Sequence, residues 1–113
     1  MKYIIAYVKS NMLGKVVQAL HGIEGLTGLS ITDIHGFGRG RGEGESVFIT
    51  VDSIKYVPHK KIELFCHDNI AEMVADTIQK AAHTGLRGDG KVYVLSVDQA
   101  IRISTGEIGE GAI

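Results

Sequence analysis

Residues Tyr3 to Val8 are apolar on both alternating sets, the pattern of a strand covered on both faces. The period then changes: Leu13, Val16, Val17 and Leu20 fall on one stripe, predicting a helix that faces a core. Ser10 or Asn11 is placed to cap that helix, because a short polar side chain can accept from its free first-turn N–H groups. Glycines at 22, 25 and 28 break the pattern, and Leu29 to Ile34 alternates as a second strand. Lys60 to Cys66 reads as a third strand with Ile62, Leu64 and Cys66 on one face. A second helix follows, with Asp68 or Asn69 as its cap, Asn69 and Glu72 at capping-box spacing, and a stripe of Ile70, Met73, Val74, Thr77, Ile78 and Ala81. Gly85 stands where a C-terminal cap is expected. Lys91 to Ser96 predicts a fourth strand, Ala100 to Ile103 a short final strand or edge, and 104–113 a glycine-containing tail lying on the surface.

This order predicts an α+β chain, a ferredoxin-like βαββαβ arrangement with both helices on one face of an antiparallel sheet. The other face also carries apolar side chains, Tyr3, Ile5, Tyr7, Val92 and Val94, for which self-association is the simplest cover. Between strands 2 and 3 lies an unusual segment. Gly36, Gly38, Gly40, Gly42 and Gly44 alternate with Phe37, Arg39, Arg41 and Glu43, too much backbone entropy and too few apolar groups to order themselves. A loop over about 39–58 is expected, with strand propensity in Val47 to Val51, and loops of that length are often functional.

Composition narrows the classes. The 113 residues suit one domain, 1–113. A net charge of -1, with basic pairs only at Lys60–Lys61 and Arg39 with Arg41, gives no footprint for nucleic acid. Cys66 alone cannot form an internal disulfide, which fits a reducing compartment. No apolar run approaches the roughly 20 residues of a membrane span, and the first residues lack a signal-peptide cleavage region. The expected location is cytoplasmic, without membrane insertion.

Chemistry concentrates in Thr84-Gly85-Leu86-Arg87-Gly88-Asp89-Gly90-Lys91. Val92 stands where a Walker A motif needs Ser or Thr, and the segment leads from a helix into a strand, the reverse of a P-loop. Two readings stay open: a helix C-cap with a glycine turn, or a nest whose backbone N–H groups, with Arg87 and Lys91, hold phosphate. Gly36 to Gly40 lacks the third glycine of a dinucleotide fingerprint, and no helix follows it. Adjacent strand residues point to opposite faces, so His67 is poorly placed to activate Cys66, which reads as a buried structural thiol. His21, His35, His59, His67 and His83 show no metal-ligand spacing, and Asp68, Glu72, Glu107 and Glu110 are explained by capping or by the tail. The residues therefore predict no catalytic group and no built-in metal site.

Taken together, Lys2 to Lys9, Gly36-Phe37-Gly38-Arg39 before a long loop, Thr84 to Lys91, and Arg102-x-x-Thr105-Gly106-Glu107 resemble the PII family of signal-transduction proteins over essentially the whole chain. The resemblance implies a non-enzymatic homotrimer with clefts between subunits where ATP and ADP compete, and a long loop that engages a partner, usually a transporter or enzyme. It places Gly36, Phe37, Gly38 and Arg39 at the nucleotide, and wraps Gly88, Asp89, Gly90 and Lys91 around the phosphates. Arg102 reaches across from a neighbour, Ser30 takes the place of a threonine near the base, and Glu63 that of a glutamate beside the cleft. Arg39, Arg87, Lys91 and Arg102 could together offset a di- or triphosphate, with Mg2+ able to accompany ATP.

The departures are specific. Gly40 replaces a glutamine that helps hold magnesium for 2-oxoglutarate, and His59 aligns with the lysine that pairs with the oxoglutarate carboxylate. The Tyr-Arg-Gly-Ala-Glu-Tyr signature of the uridylylation loop is missing, and Arg102-Ile103-Ser104 replaces a common Arg-x-Arg. These departures count against 2-oxoglutarate as a ligand and leave nucleotide binding, weaker or biased toward ADP. The Gly36 to Gly42 run with a tyrosine-free loop resembles a divergent subgroup linked to heavy-metal efflux, which makes the regulated partner a membrane transporter. Two alternatives stand beside this: a metal-responsive protein of similar trimeric fold using His35, His59, His67 or Cys66, and a slow nucleotide hydrolase, for which no acid or base suggests itself.

Overall fold

The computed structural model describes residues 1–36 and 57–113. In chain order they form β1 (Lys2–Lys9), a 3-10 turn (Ser10–Met12), α1 (Leu13–His21), β2 (Ser30–Gly36), β3 (Val57–Cys66), α2 (Asp68–Ala82), β4 (Gly90–Ser96) and a second 3-10 turn (Glu110–Ala112). The strands lie in the order β2-β3-β1-β4, every neighbouring pair antiparallel. This is the ferredoxin-like arrangement that the alternating periods predict.

The core lies between the sheet and two helices packed side by side. Ile4, Ala6 and Val8 of β1 and Ile62, Leu64 and Cys66 of β3 point into it, against Val16 and Leu20 of α1 and Ala71, Val74 and Ile78 of α2. Each fully buried aliphatic side chain contributes about 1.5–3 kcal/mol, which makes β1 and β3 the spine of the fold. Burial also pushes the Cys66 thiol pKa up, so it is a structural thiol.

The opposite face carries the second apolar set of β1. Tyr3 stacks on Phe65 with ring centroids 4.7 Å apart, and Tyr7 meets Tyr93 edge-on at 6.2 Å. Phe65, Tyr93 and Leu95 remain 46%, 46% and 44% exposed, so this face is apolar yet open in a single chain.

Several expectations need correction. Ala6 pairs with Val92 and Ile4 with Val94, which puts both valines on the helix side; Tyr93 and Leu95 take their place on the open face. Ser10 and Asn11 do not cap α1, because they are wound into the 3-10 turn and the chain enters the helix through Met12. Neither Asp68 nor Asn69 caps α2: His67 is the N-cap residue, and the Asp68 carboxylate instead accepts from the Met1 amine at 2.8 Å. Met73, on the predicted stripe, is 55% exposed, and Ala71 and Ala82 take the buried positions. Helix α2 ends as His83 turns extended, and Gly85 belongs to the turn beyond. Strand β3 starts at Val57, inside the expected loop, and the strand expected over Ala100 to Ile103 is a single bridge, Ile101 with Ile108. The proposed ribbon at Val47 to Val51 lies outside the described residues.

Candidate functional site

Between α2 and β4 the chain crosses one end of the sheet on a turn built around Asp89. Its carboxylate accepts from the Thr84 backbone N–H at 2.9 Å and from the Thr84 hydroxyl. Lys9, the last residue of β1, places Nζ 3.1 Å from Asp89 Oδ1 and donates to the Thr84 hydroxyl oxygen at 3.2 Å. The Leu86 N–H donates to the same hydroxyl oxygen at 3.0 Å. These partners, the Thr84 hydroxyl foremost, then its backbone N–H and Lys9, hold the Asp89 carboxyl well below the usual carboxylate range. An unpaired acid at this turn would repel an anion. Here its charge is turned inward and matched by Lys9.

Two glycines shape the rest. Gly88 has φ +79° and Gly90 φ +102°, and a Cβ on Gly90 would overlap the Tyr7 carbonyl oxygen. From β3, His59 Nε2 donates to the Gly88 carbonyl oxygen at 3.1 Å. Lys91 follows on β4, opposite Tyr7 and exposed, while Arg87 stands exposed at the turn's crest. The arrangement is a glycine-shaped turn with the exposed cations Arg87 and Lys91 beside it, suited to an anion.

Register shows which predicted residues share this end. Gly36 closes β2 opposite Val57, Lys9 pairs with His59, and Val8 pairs with Gly90, so Gly36 and the Gly88–Lys91 segment lie at the same end of the sheet, on its two opposite edge strands. Phe37, Gly38 and Arg39 lie outside the described residues. Ser30 and Glu63 are cross-strand partners about 13 Å along β3 from His59. They line a groove of about 490 Å³ with Thr27, Phe65 and Ile101. Glu63 accepts from the Tyr3 hydroxyl, which with Lys61 lowers its pKa, and the same bond raises that of Tyr3. Arg102 lies beyond the far end of β4, where its guanidinium donates to the carbonyl oxygens of Gly111 at 3.2 Å and Ile113 at 3.4 Å. Seven residues of β4 span roughly 20 Å, so one chain does not bring Arg102 to Lys91.

Lys9, Thr84 and His59 are the supporting residues that the sequence left without this role. Lys9 and His59 become visible only through strand register, whereas Thr84 sits five residues before Asp89, a spacing that could have suggested the brace. For metal chemistry the geometry is unfavourable. Among the described residues no three His, Cys, Asp or Glu side chains converge to hold an ion. His59 and His67 lie near opposite ends of β3, His35 and His59 point to opposite faces of the sheet, and His67 Nδ1 lies 2.6 Å from Glu110 Oε2.

A family model described as nitrogen regulatory protein P-II matches residues 1–107. The nitrogen regulatory protein P-II of Rhodospirillum rubrum is 43% identical over 113 residues, covering all of both chains. Nitrogen regulatory protein GlnK of Escherichia coli K12 is 38% identical, again over the full length of both. Among solved structures, the crystal structure of Arabidopsis thaliana PII bound to citrate is similar with a TM-score of 0.79 and 35% identity, covering 99% of this chain and 91% of that one.

Proposed function

The chain belongs to the nitrogen regulatory protein P-II family, and from that premise we propose that it is a cytoplasmic homotrimeric sensor of ATP and ADP, a regulator and not an enzyme. The observation that carries the reading is the turn from Thr84 to Lys91. Its acid is hydrogen-bonded by Thr84 and paired with Lys9, its glycines take positive φ, and Lys91 and Arg87 add positive charge at the surface.

Two features support association between copies. The half-exposed Phe65, Tyr93 and Leu95 give each copy an apolar face to bury. The length of β4 means that Arg102 joins a phosphate only when it comes from a neighbouring copy. The groove with Ser30 and Glu63 is the proposed base end of the ligand. Mg2+ accompanies ATP without a dedicated protein ligand, since Gly40 offers no side chain, and 2-oxoglutarate is not part of the signal. Residues 39–58 are proposed to carry the nucleotide state to a partner protein, a membrane transporter. No helix among the described residues is long and apolar enough to cross a membrane, so in this reading the membrane belongs to the partner.

Isothermal calorimetry with ADP and with Mg-ATP, each with and without 2-oxoglutarate, tests the reading. Saturable nucleotide binding indifferent to 2-oxoglutarate is expected, and Lys91→Ala should weaken it by about 1.5–3 kcal/mol, the range for a hydrogen bond to a charged group. A wild-type protein that binds neither nucleotide refutes it.

A further inference from the structure

The Gly88–Asp89 peptide plane turns about the ψ of Gly88 and the φ of Asp89, and its first residue is a glycine at φ +79°. Glycine backbones change φ and ψ at low cost, so such a peptide plane can rotate unless something holds it. The Asp89 carboxylate ties that side chain to Thr84 and Lys9, which fixes where the residue sits. It does not fix the plane of the peptide before it. Among the described residues, the side chain that anchors that plane is His59, whose Nε2 lies 3.1 Å from the Gly88 carbonyl oxygen.

The consequence follows from peptide geometry. In a trans peptide the C=O and the next N–H point in opposite directions. With the Gly88 carbonyl drawn toward β3, the Asp89 N–H is directed away from β3, outward from the sheet end where Gly90 begins β4. His59 is well suited to impose this. It lies in β3 with Lys9 of β1 as its partner on one side and Ile34 of β2 on the other, so its backbone is clamped within the sheet.

Resting on the nucleotide reading above, we propose that His59 is a positioning residue for phosphate: by holding the Gly88 carbonyl, it sets the outward orientation of the Asp89 N–H as an anion donor. It acts through the loop and does not touch the ligand. The imidazole donates through Nε2 in its neutral Nε2–H form and in its protonated form, so the role does not depend on a change of charge.

Three substitutions separate donor chemistry from bulk. His59→Gln places an amide N–H at the reach of Nε2; His59→Asn falls one methylene short; His59→Leu has no donor. ADP affinity by calorimetry should fall about tenfold in the Leu and Asn variants, as for loss of one hydrogen bond, and stay within about threefold of wild type in the Gln variant. Oligomeric state and melting temperature should be alike in all four proteins. In 1H–15N spectra, the Asp89 amide should shift on ADP addition in wild type and His59→Gln, and lose that shift in the other two. Wild-type affinity in His59→Leu or His59→Asn overturns the positioning role alone, as does an equal loss in all three variants. Absence of ADP binding by the wild-type protein overturns the nucleotide reading, and this role with it.

Discussion

Gly90→Ala should be among the most damaging single changes to this fold. At that position β4 begins its pairing with β1, and the register Val8 with Gly90 brings the two backbones together. A Cβ there would overlap the Tyr7 carbonyl oxygen and stand 2.7 Å from the Tyr7 carbonyl carbon. Carbon atoms pack favourably at about 3.5–4.0 Å, so β1 and β4 must part by roughly 0.8 Å or more. That stretches a ladder hydrogen bond from about 2.9 Å past its useful limit, at a net cost of about 0.5–1.5 kcal/mol. The φ of +102° adds about 1–2 kcal/mol of strain once a Cβ is present, and forced repacking about 1–3 kcal/mol. Together these come to about 2.5–6.5 kcal/mol, a large share of the 5–15 kcal/mol typical of a whole domain. Gly85→Ala is the control, because Gly85 has φ +80° but nothing within 4 Å of an added Cβ, leaving about 1–2 kcal/mol of strain alone. Urea denaturation at one fixed protein concentration, followed by circular dichroism, measures both. A Gly90→Ala protein as stable as Gly85→Ala refutes the claim that contact with Tyr7 dictates the glycine.

Other predictions follow from the same geometry. Asp89 has a folded pKa below its ordinary value, so its stabilisation is complete above the unfolded pKa near 3.9 and is lost as pH falls through the folded one. Thermal melts of wild type and Asp89→Asn should therefore differ by a constant amount from about pH 8 to 5, with the gap narrowing progressively as pH falls below about 4; coincident melts at neutral pH contradict the brace. Leu95→Glu puts a charge on the open face beside Tyr3, and sedimentation should show monomers, whereas an intact trimer removes that face from the interface. Ile78→Ala empties a fully buried position on α2 and should cost about 2–5 kcal/mol in the same urea assay; a loss under about 1 kcal/mol means the core repacks there.

What the sequence could disclose was set by how local each determinant is. Ile62, Leu64 and Cys66 alternate cleanly, and their common burial follows from the pleat alone. In β4 the run Val92-Tyr93-Val94-Leu95 is apolar at every position, so its phase is settled only by pairing with Ala6 and Ile4. Asp68 looked like a cap because its neighbours in sequence make it one, but an amine 67 residues away claims the carboxylate. The site divides in the same way. The glycines and Lys91 announce themselves as a loop, whereas the brace from Lys9 to Thr84 spans 75 residues and exists only once β1 lies next to β4.

Strand β4 has a consequence for how such a molecule would be tuned. It holds the Gly88–Lys91 loop and Arg102 roughly 20 Å apart on each copy, so a ligand that uses both must join two copies. In the proposed reading, that makes the ligand a fastener as well as a message. By mass action, dilution that separates the subunits lowers apparent affinity, and saturating ligand protects the assembly against dilution. The amount of this protein present then becomes a second dial on its sensitivity, set by synthesis and turnover and independent of any change in its binding residues.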